Sequence, residues 1–159
     1  MTHNKNDKAR LLRARSGWSH SVISLIFLLT ACSVSPEKLK YNQDNCSFCK
    51  MTLVDEKFGA ELVTAKGKIF KFDDIKCMVL FLNTPEGKNE YAYQLATDYS
   101  LKSNELIPVK NALYLHAQEL RSPMGGNIAS FANQPDLQLV QNVMHGQVLN
   151  WEQVMQAFQ

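Results

Sequence analysis

The order of apolar and polar positions divides the chain into three stretches of different character. Residues 22–29 (VISLIFLL) form a short, almost purely apolar block behind a basic run, and residues 33–45 (SVSPEKLKYNQDN) are polar. From residue 58 onward apolar positions recur at the intervals of strands and helices. Phe58 to Ala65 and Lys68 to Phe72 read as two strands with Lys66-Gly67 as the hairpin turn between them. Residues 74–83 follow as a helix that is apolar nearly all round and therefore buried; Asp73 and Asp74 stand ready to cap it, and Asn83-Thr84-Pro85 ends it. Tyr91 to Thr97 alternates as a further strand, which completes a β-β-α-β unit. The second half predicts a strand over Ala112–Ala117, a looser one near 126–130, a helix from about Pro135 to His145, a strand at 147–150 and a short closing helix at 151–158.

An internal match sharpens this outline. Gly67-Lys-Ile-Phe-Lys-Phe-Asp-Asp-Ile75 aligns without gaps on Gly146-Gln-Val-Leu-Asn-Trp-Glu-Gln-Val154. Both run as a glycine turn, a strand, and an acid at a helix start, where the helix dipole favours negative charge. The match reads either as the general grammar of strand-to-helix junctions or as two similar halves packed together with a site at their seam. In the second case Met51 and Met124 each precede one half's strand–helix unit and face one another.

The N-terminal stretch gives an address. Lys5, Lys8, Arg10, Arg13 and Arg15 oppose the single acid Asp7, the apolar block follows, and Thr30-Ala31-Cys32 ends it. These are the three regions of a signal peptide; the block falls short of the roughly 20 residues that a spanning helix needs. Leu29-Thr30-Ala31-Cys32 resembles a bacterial lipobox, which makes residues 1–31 the cleaved leader, Cys32 the acylated first residue and 32–45 a flexible tether ahead of a folded domain over 46–159. By analogy with such lipoproteins, Ser33 in place of Asp points to the outer membrane.

Cleavage also changes the charge. Residues 1–31 carry five of the 17 basic residues and one of the 15 acids, so the remaining 128 residues hold 12 bases against 14 acids, a formal charge of −2 instead of +2. No basic stripe is left for nucleic acid, and the membrane is reached through the lipid anchor alone. A body of this length suits one compact domain, read here as a monomer.

The candidate chemistry is sulfur. Cys46, Cys49 and Met51 stand together in CSFCKM, and Met124 stands in SPMGG, where Ser122, Pro123, Gly125 and Gly126 predict irregular, exposed backbone. Thiolate and thioether donors favour Cu(I). Zinc needs a second CxxC or paired histidines at ligand spacing, and covalent haem needs a histidine where Lys50 stands. A thioredoxin-type dithiol opens a helix after a strand, whereas this motif follows the polar tether. The two cysteines alone also suit a structural disulfide, as exported pairs usually do. Methionine carries no proton and forms no disulfide, so it keeps donating in an oxidising compartment. Cys77 reads as a small core residue of the apolar helix, with Met78, and Met155 reads as core as well. His116 and His145 are further donors that a lone histidine's usual structural role makes weaker candidates.

Taken in order, the lipobox, CxxCxM, FDDI and SPMGGNIASFA…HGQVLNWEQVMQAF resemble the NosL family of copper-chaperone lipoproteins of nitrous oxide reductase assembly over about residues 41–158. The resemblance implies an α+β fold of two β-β-α-β halves, Cu(I) as cargo, and no chemical turnover. It also implies delivery to an ABC-type maturation complex that loads the copper sites of nitrous oxide reductase. The family's metal-binding positions match Cys46 or Cys49, Met51 and Met124; two cysteines in the N-terminal motif leave open whether both bind or one stands in for a histidine. The competing expectation is an exported thiol–disulfide oxidoreductase acting on copper-site cysteines.

Overall fold

The computed structural model describes residues 33–101 and 106–159. The leader and the acylated Cys32 expected from the sequence lie outside these residues. Among the described residues no helix is long and apolar enough to cross a membrane.

The chain folds as α+β in two halves of the same design. The first contains β1 (Ala60–Thr64), β2 (Ile69–Phe72), α1 (Ile75–Leu82) and β3 (Tyr91–Ala96), with a two-residue β4 (Ile107–Pro108) added at its edge. The second contains β5 (Leu113–His116), β6 (Ile128–Phe131), α2 (Gln134–Met144) and β7 (Gln147–Leu149), and α3 (Trp151–Ala157) closes the chain. The sheets run β2-β1-β3-β4 and β6-β5-β7. In both, the first strand of the half is central, its hairpin partner lies on one side and the strand returning from the helix lies on the other, all antiparallel.

This topology corrects the internal alignment. Gly67–Ile75 crosses β2 into α1, the second strand of its half, whereas Gly146–Val154 crosses β7 into α3, the third strand and an extra helix. The segment equivalent to GKIFKFDD is Gly126-Asn-Ile-Ala-Ser-Phe-Ala-Asn133, with Ile69 matching Ile128, Phe72 matching Phe131 and the cap Asp74 matching the cap Asn133. Met124 therefore sits just ahead of the true counterpart of the FDDI unit.

Local chemistry sets the element ends. Gly67 turns the β1–β2 hairpin at φ +83°, which a glycine adopts without penalty. Asp74 caps α1 by accepting from the Cys77 N–H, and Asn133 caps α2 by accepting from the Asp136 N–H. Asn150 and Gln153 form a reciprocal capping box on α3. α1 lays Ile75, Cys77, Met78, Val79 and Phe81 on the first sheet, with the Phe81 ring 4.6 Å from that of Phe70 and 5.2 Å from that of Phe72. The second sheet feeds two clusters: Tyr114, Ile128 and Leu149 join the core around α1, while Leu115 and Phe131 build a smaller cluster with Leu137 of α2 and Phe58.

The polar stretch read as a tether is in part a strap. Leu39 and Tyr41 pack against the main core, and a Cβ on Gly59 would overlap both side chains. The Glu37 N–H donates to Glu61 Oε1 on β1 at 3.0 Å. Lys71 Nζ on β2 reaches Glu37 at 3.3 Å and Asp44 at 2.8 Å. A few apolar anchors among many polar residues are enough to fasten residues 37–45 to the sheet.

Candidate metal centre

The CSFCKM loop is a tight backbone knot laid along the open edge of β2. Ser47 donates its N–H to the Lys71 carbonyl at 2.7 Å and accepts the Lys71 N–H on Oγ at 3.1 Å, so the loop pairs with the strand as a short extra rung. Inside the loop the Cys46 N–H donates to the Met51 carbonyl at 2.8 Å and the Lys50 N–H to the Cys46 carbonyl at 3.0 Å. Lys50 holds the left-handed region at φ 67°, which turns the backbone back toward the sulfurs. Cys46 is 1% exposed and Cys49 half-buried.

The first turn of α1 brings the third sulfur. Cys77, expected as core filler, is fully buried, and its Sγ joins those of Cys46 and Cys49 in a group whose atoms all lie within 4.8 Å of one another. Thiolate–metal bonds of about 2.3 Å hold two sulfurs on one ion no more than about 4.6 Å apart. The three atoms thus need only a small contraction to share one ion. None of the three is in a disulfide.

Cys46 carries the charge of this group. The Cys77 thiol donates to its sulfur, and the backbone N–H groups of Asp73, Cys49 and Phe48 point at it, so its pKa is pushed down to about 5 against the cost of burial. Cys77 is pushed upward because it is the proton donor to Cys46, is buried and faces that negative sulfur. Burial, then the neighbouring Cys46, raises Cys49 as well. Asp73, on the same side, is raised to about 6 by burial and by the Cys46 charge. The group is thus asymmetric: Cys46 is the thiol most readily ionised, and Cys49 and Cys77 hold their protons more tightly than a free thiol.

Met124 comes to this place from the second half. It is half-buried and packs against the core that holds the cysteines. Its N–H donates to Asp74 Oδ2 at 3.1 Å and its carbonyl accepts from Lys76 Nζ at 3.1 Å, so both ends of the residue are tied to the start of α1 beside Cys77. Met51 shares the loop of Cys46 and Cys49, but its side chain is 58% exposed and turned to solvent. His116 lies on β5 and His145 caps the end of α2 in the left-handed region; neither belongs to the sulfur group.

The residue that the sequence did not flag is Cys77. Its signal was available in the cysteine count: with Cys32 set aside, Cys77 is the third of an odd set. An apolar helix masked it, because the same burial serves both packing and ligation.

Comparison with known proteins places the fold and the family. The copper-binding lipoprotein NosL of Stutzerimonas stutzeri is 25% identical to this chain over 148 residues, covering 85% of this chain and 78% of that protein. The crystal structure of the copper chaperone NosL from Shewanella denitrificans has the same fold, with a TM-score of 0.63 at 18% identity, across 76% of this chain and 95% of that one. The NosL family model matches residues 38–158, from inside the strap to the end of α3. The chain belongs to the NosL family.

Proposed function

We propose that this protein is a Cu(I) carrier that holds the ion on Cys46, Cys49 and Cys77, with Met124 and Met51 as thioether partners, and passes it on without chemical turnover. The observation that carries the reading is the convergence of three thiol sulfurs within 4.8 Å from two separate elements. Soft thiolate and thioether donors select Cu(I) over harder ions. The relatives named for copper binding and copper chaperoning point the same way. A preformed thiolate on Cys46 gives the ion a first contact, and each thiol that then binds releases its proton. Half-buried Cys49 and exposed Met51 lie on the solvent side, where a partner's ligands can take over.

The address and destination belong to the same proposal. A lipid on Cys32 anchors the protein on the periplasmic side of a membrane, the outer one on the reading of Ser33, as a monomer. From there it serves an ABC-type maturation complex and, through it, the copper sites of nitrous oxide reductase.

The low pKa of Cys46 also favours a second reading, thiol–disulfide exchange. A cysteine that is 1% exposed is poorly placed to attack a protein disulfide. Titration of reduced protein with Cu(I) against a competing chelator separates the two. The carrier shows tight one-to-one binding that Cys46→Ser with Cys49→Ser abolishes; wild-type affinity in that double variant overturns it. An exchanger traps mixed disulfides with its partner in a monothiol form, whatever Met51 is replaced by.

A further inference from the structure

The buried carboxylate of Asp74 links the start of α1, which carries Cys77, to the loop that carries Met124. It is 1% exposed and receives three hydrogen bonds. Oδ1 accepts the Cys77 N–H at 3.0 Å, an ordinary helix cap. Oδ2 accepts the Ser122 hydroxyl at 2.8 Å and the Met124 N–H at 3.1 Å, 48 and 50 residues further along the chain. The Ser122 hydroxyl in turn accepts from the Asn127 N–H at 2.9 Å, and the Ser122 N–H donates to Asn127 Oδ1 at 3.1 Å, so the SPMGG turn is closed on itself around this contact. Lys76 Nζ holds the Met124 carbonyl from the other side at 3.1 Å. No room is left for slack: a Cβ on Gly126 would come within 2.8 Å of the Lys76 Cβ.

A cap needs one oxygen. The second oxygen of Asp74 spends its bonds on a loop of the other half, and the residue it grips is the thioether candidate. Three hydrogen bonds on one buried side chain, two of them to the other half, fix where the Met124 backbone stands relative to the turn that carries Cys77. We propose that Asp74 is the positioning residue that sets Met124 against the three thiols, converting two distant sequence motifs into one shared sulfur site. This rests on the reading of Met124 as a copper ligand.

The test uses reduced, full-length protein with Cu(I) and a competing chelator, together with X-ray absorption of the copper-loaded form. Asp74→Ser keeps a good helix cap but lacks the second oxygen. Asp74→Asn places an amide N–H where the Met124 N–H needs an acceptor. Both weaken Cu(I) binding about tenfold, the scale of one hydrogen bond to a charged group, and both lower the sulfur count at copper by one. Met124→Leu does the same, and Met124→Leu combined with Asp74→Ser binds no more weakly than Met124→Leu alone. In Asp74→Ser the Met124 amide exchanges its hydrogen faster while the Cys77 amide stays protected. Should Asp74→Asn fail to fold, Ser122→Ala with Asp74→Ser carries the same comparison. If Met124→Leu leaves affinity and sulfur count unchanged, the ligand reading fails and the positioning role with it. If Met124→Leu weakens binding but the Asp74 variants do not, or if the losses add in the double variant, Asp74 does not act through Met124 and the inference is overturned.

Discussion

The Sγ atoms of Cys46 and Cys77 lie within 4.8 Å of each other, and this closeness joins the first turn of α1 to the loop laid along β2. It is why a helix that looks like plain core filler completes a site. It also fixes the charge state of the site before metal arrives, with consequences for how the metal-free protein responds to acid and base.

The metal-free, reduced protein gains stability from about pH 6 to about pH 9. Cys46 has its folded pKa near 5, well below the ordinary 9.0 of a thiol. Through that window the unfolded chain binds the extra proton, so raising pH favours the folded state. Below about 6 the rise is opposed by Asp73, raised from 3.8 to about 6, whose contribution has the reverse sign. Above 9 the raised Cys49 and Cys77 reverse the slope, since they hold protons in the folded state that the unfolded chain releases. Urea unfolding at pH 6, 7.5 and 9 reads this directly, and Cys46→Ser flattens the rise. A rise of the same size in Cys46→Ser would mean that the thiolate lies elsewhere.

Cys77→Ala separates ligation from packing. The alanine fits the space on the first sheet and costs about 1 kcal/mol of folding stability, the common size for one point change. Cu(I) affinity falls more than tenfold, because the ion loses a thiolate and Cys46 loses the donor that keeps its proton off. Chelator competition and urea unfolding on the same sample distinguish the two effects. A variant destabilised by several kcal/mol with copper affinity intact would return Cys77 to the core alone.

Much of this was written openly in the residue pattern. A run closed by the Lys66-Gly67 turn gave the strand at 60–64 and alternation the one at 91–96, and Asp74, Asn83 and Pro85 bounded α1 because caps and breakers act locally. CxxC declared two sulfurs through short spacing. What the pattern hid depends on distance. The edge of β2 that receives Ser47, and the carboxylate that receives Met124, are pairings over many residues with no periodic signal. The two-residue β4 carries Pro108 at a sheet edge and too little sequence to alternate. Leu39 and Tyr41 were lost among polar neighbours, though two anchors suffice once Gly59 leaves room for them. The Gly146 segment resembled the Gly67 segment because any glycine, strand and acid-led helix spells alike; the true counterpart keeps the glycine (Gly126), an Ile, a Phe and a capping side chain and differs at every position between.

His145→Gly is expected to stabilise the protein without touching copper. His145 ends α2 at φ 52°, donating its N–H to Gln141 O at 2.8 Å. A side chain in the left-handed region costs about 1–2 kcal/mol; glycine removes that strain and returns part of it as chain entropy. The net gain is about 0.5–1 kcal/mol, seen as a higher urea midpoint with an unchanged slope. Copper affinity stays at the wild-type value; a loss there would make His145 a ligand after all.

Ser47→Ala tests whether the β2 edge holds the cysteine loop in place. The serine hydroxyl is the partner of the Lys71 N–H, and alanine leaves that edge donor unpaired. The loss is about 1–2 kcal/mol where water cannot easily replace the bond. The carbonyl of Lys71 still receives the residue 47 N–H at 2.7 Å, so the loop loosens without leaving the strand. Copper affinity falls a few-fold, far less than for loss of a thiol, because Cys46 and Cys49 remain but wander more before binding. Hydrogen exchange should show the Lys71 amide opening sooner in the metal-free variant and regaining protection when Cu(I) is added. If that amide exchanges at the wild-type rate without metal, the rung formed by Ser47 is not what fastens the loop.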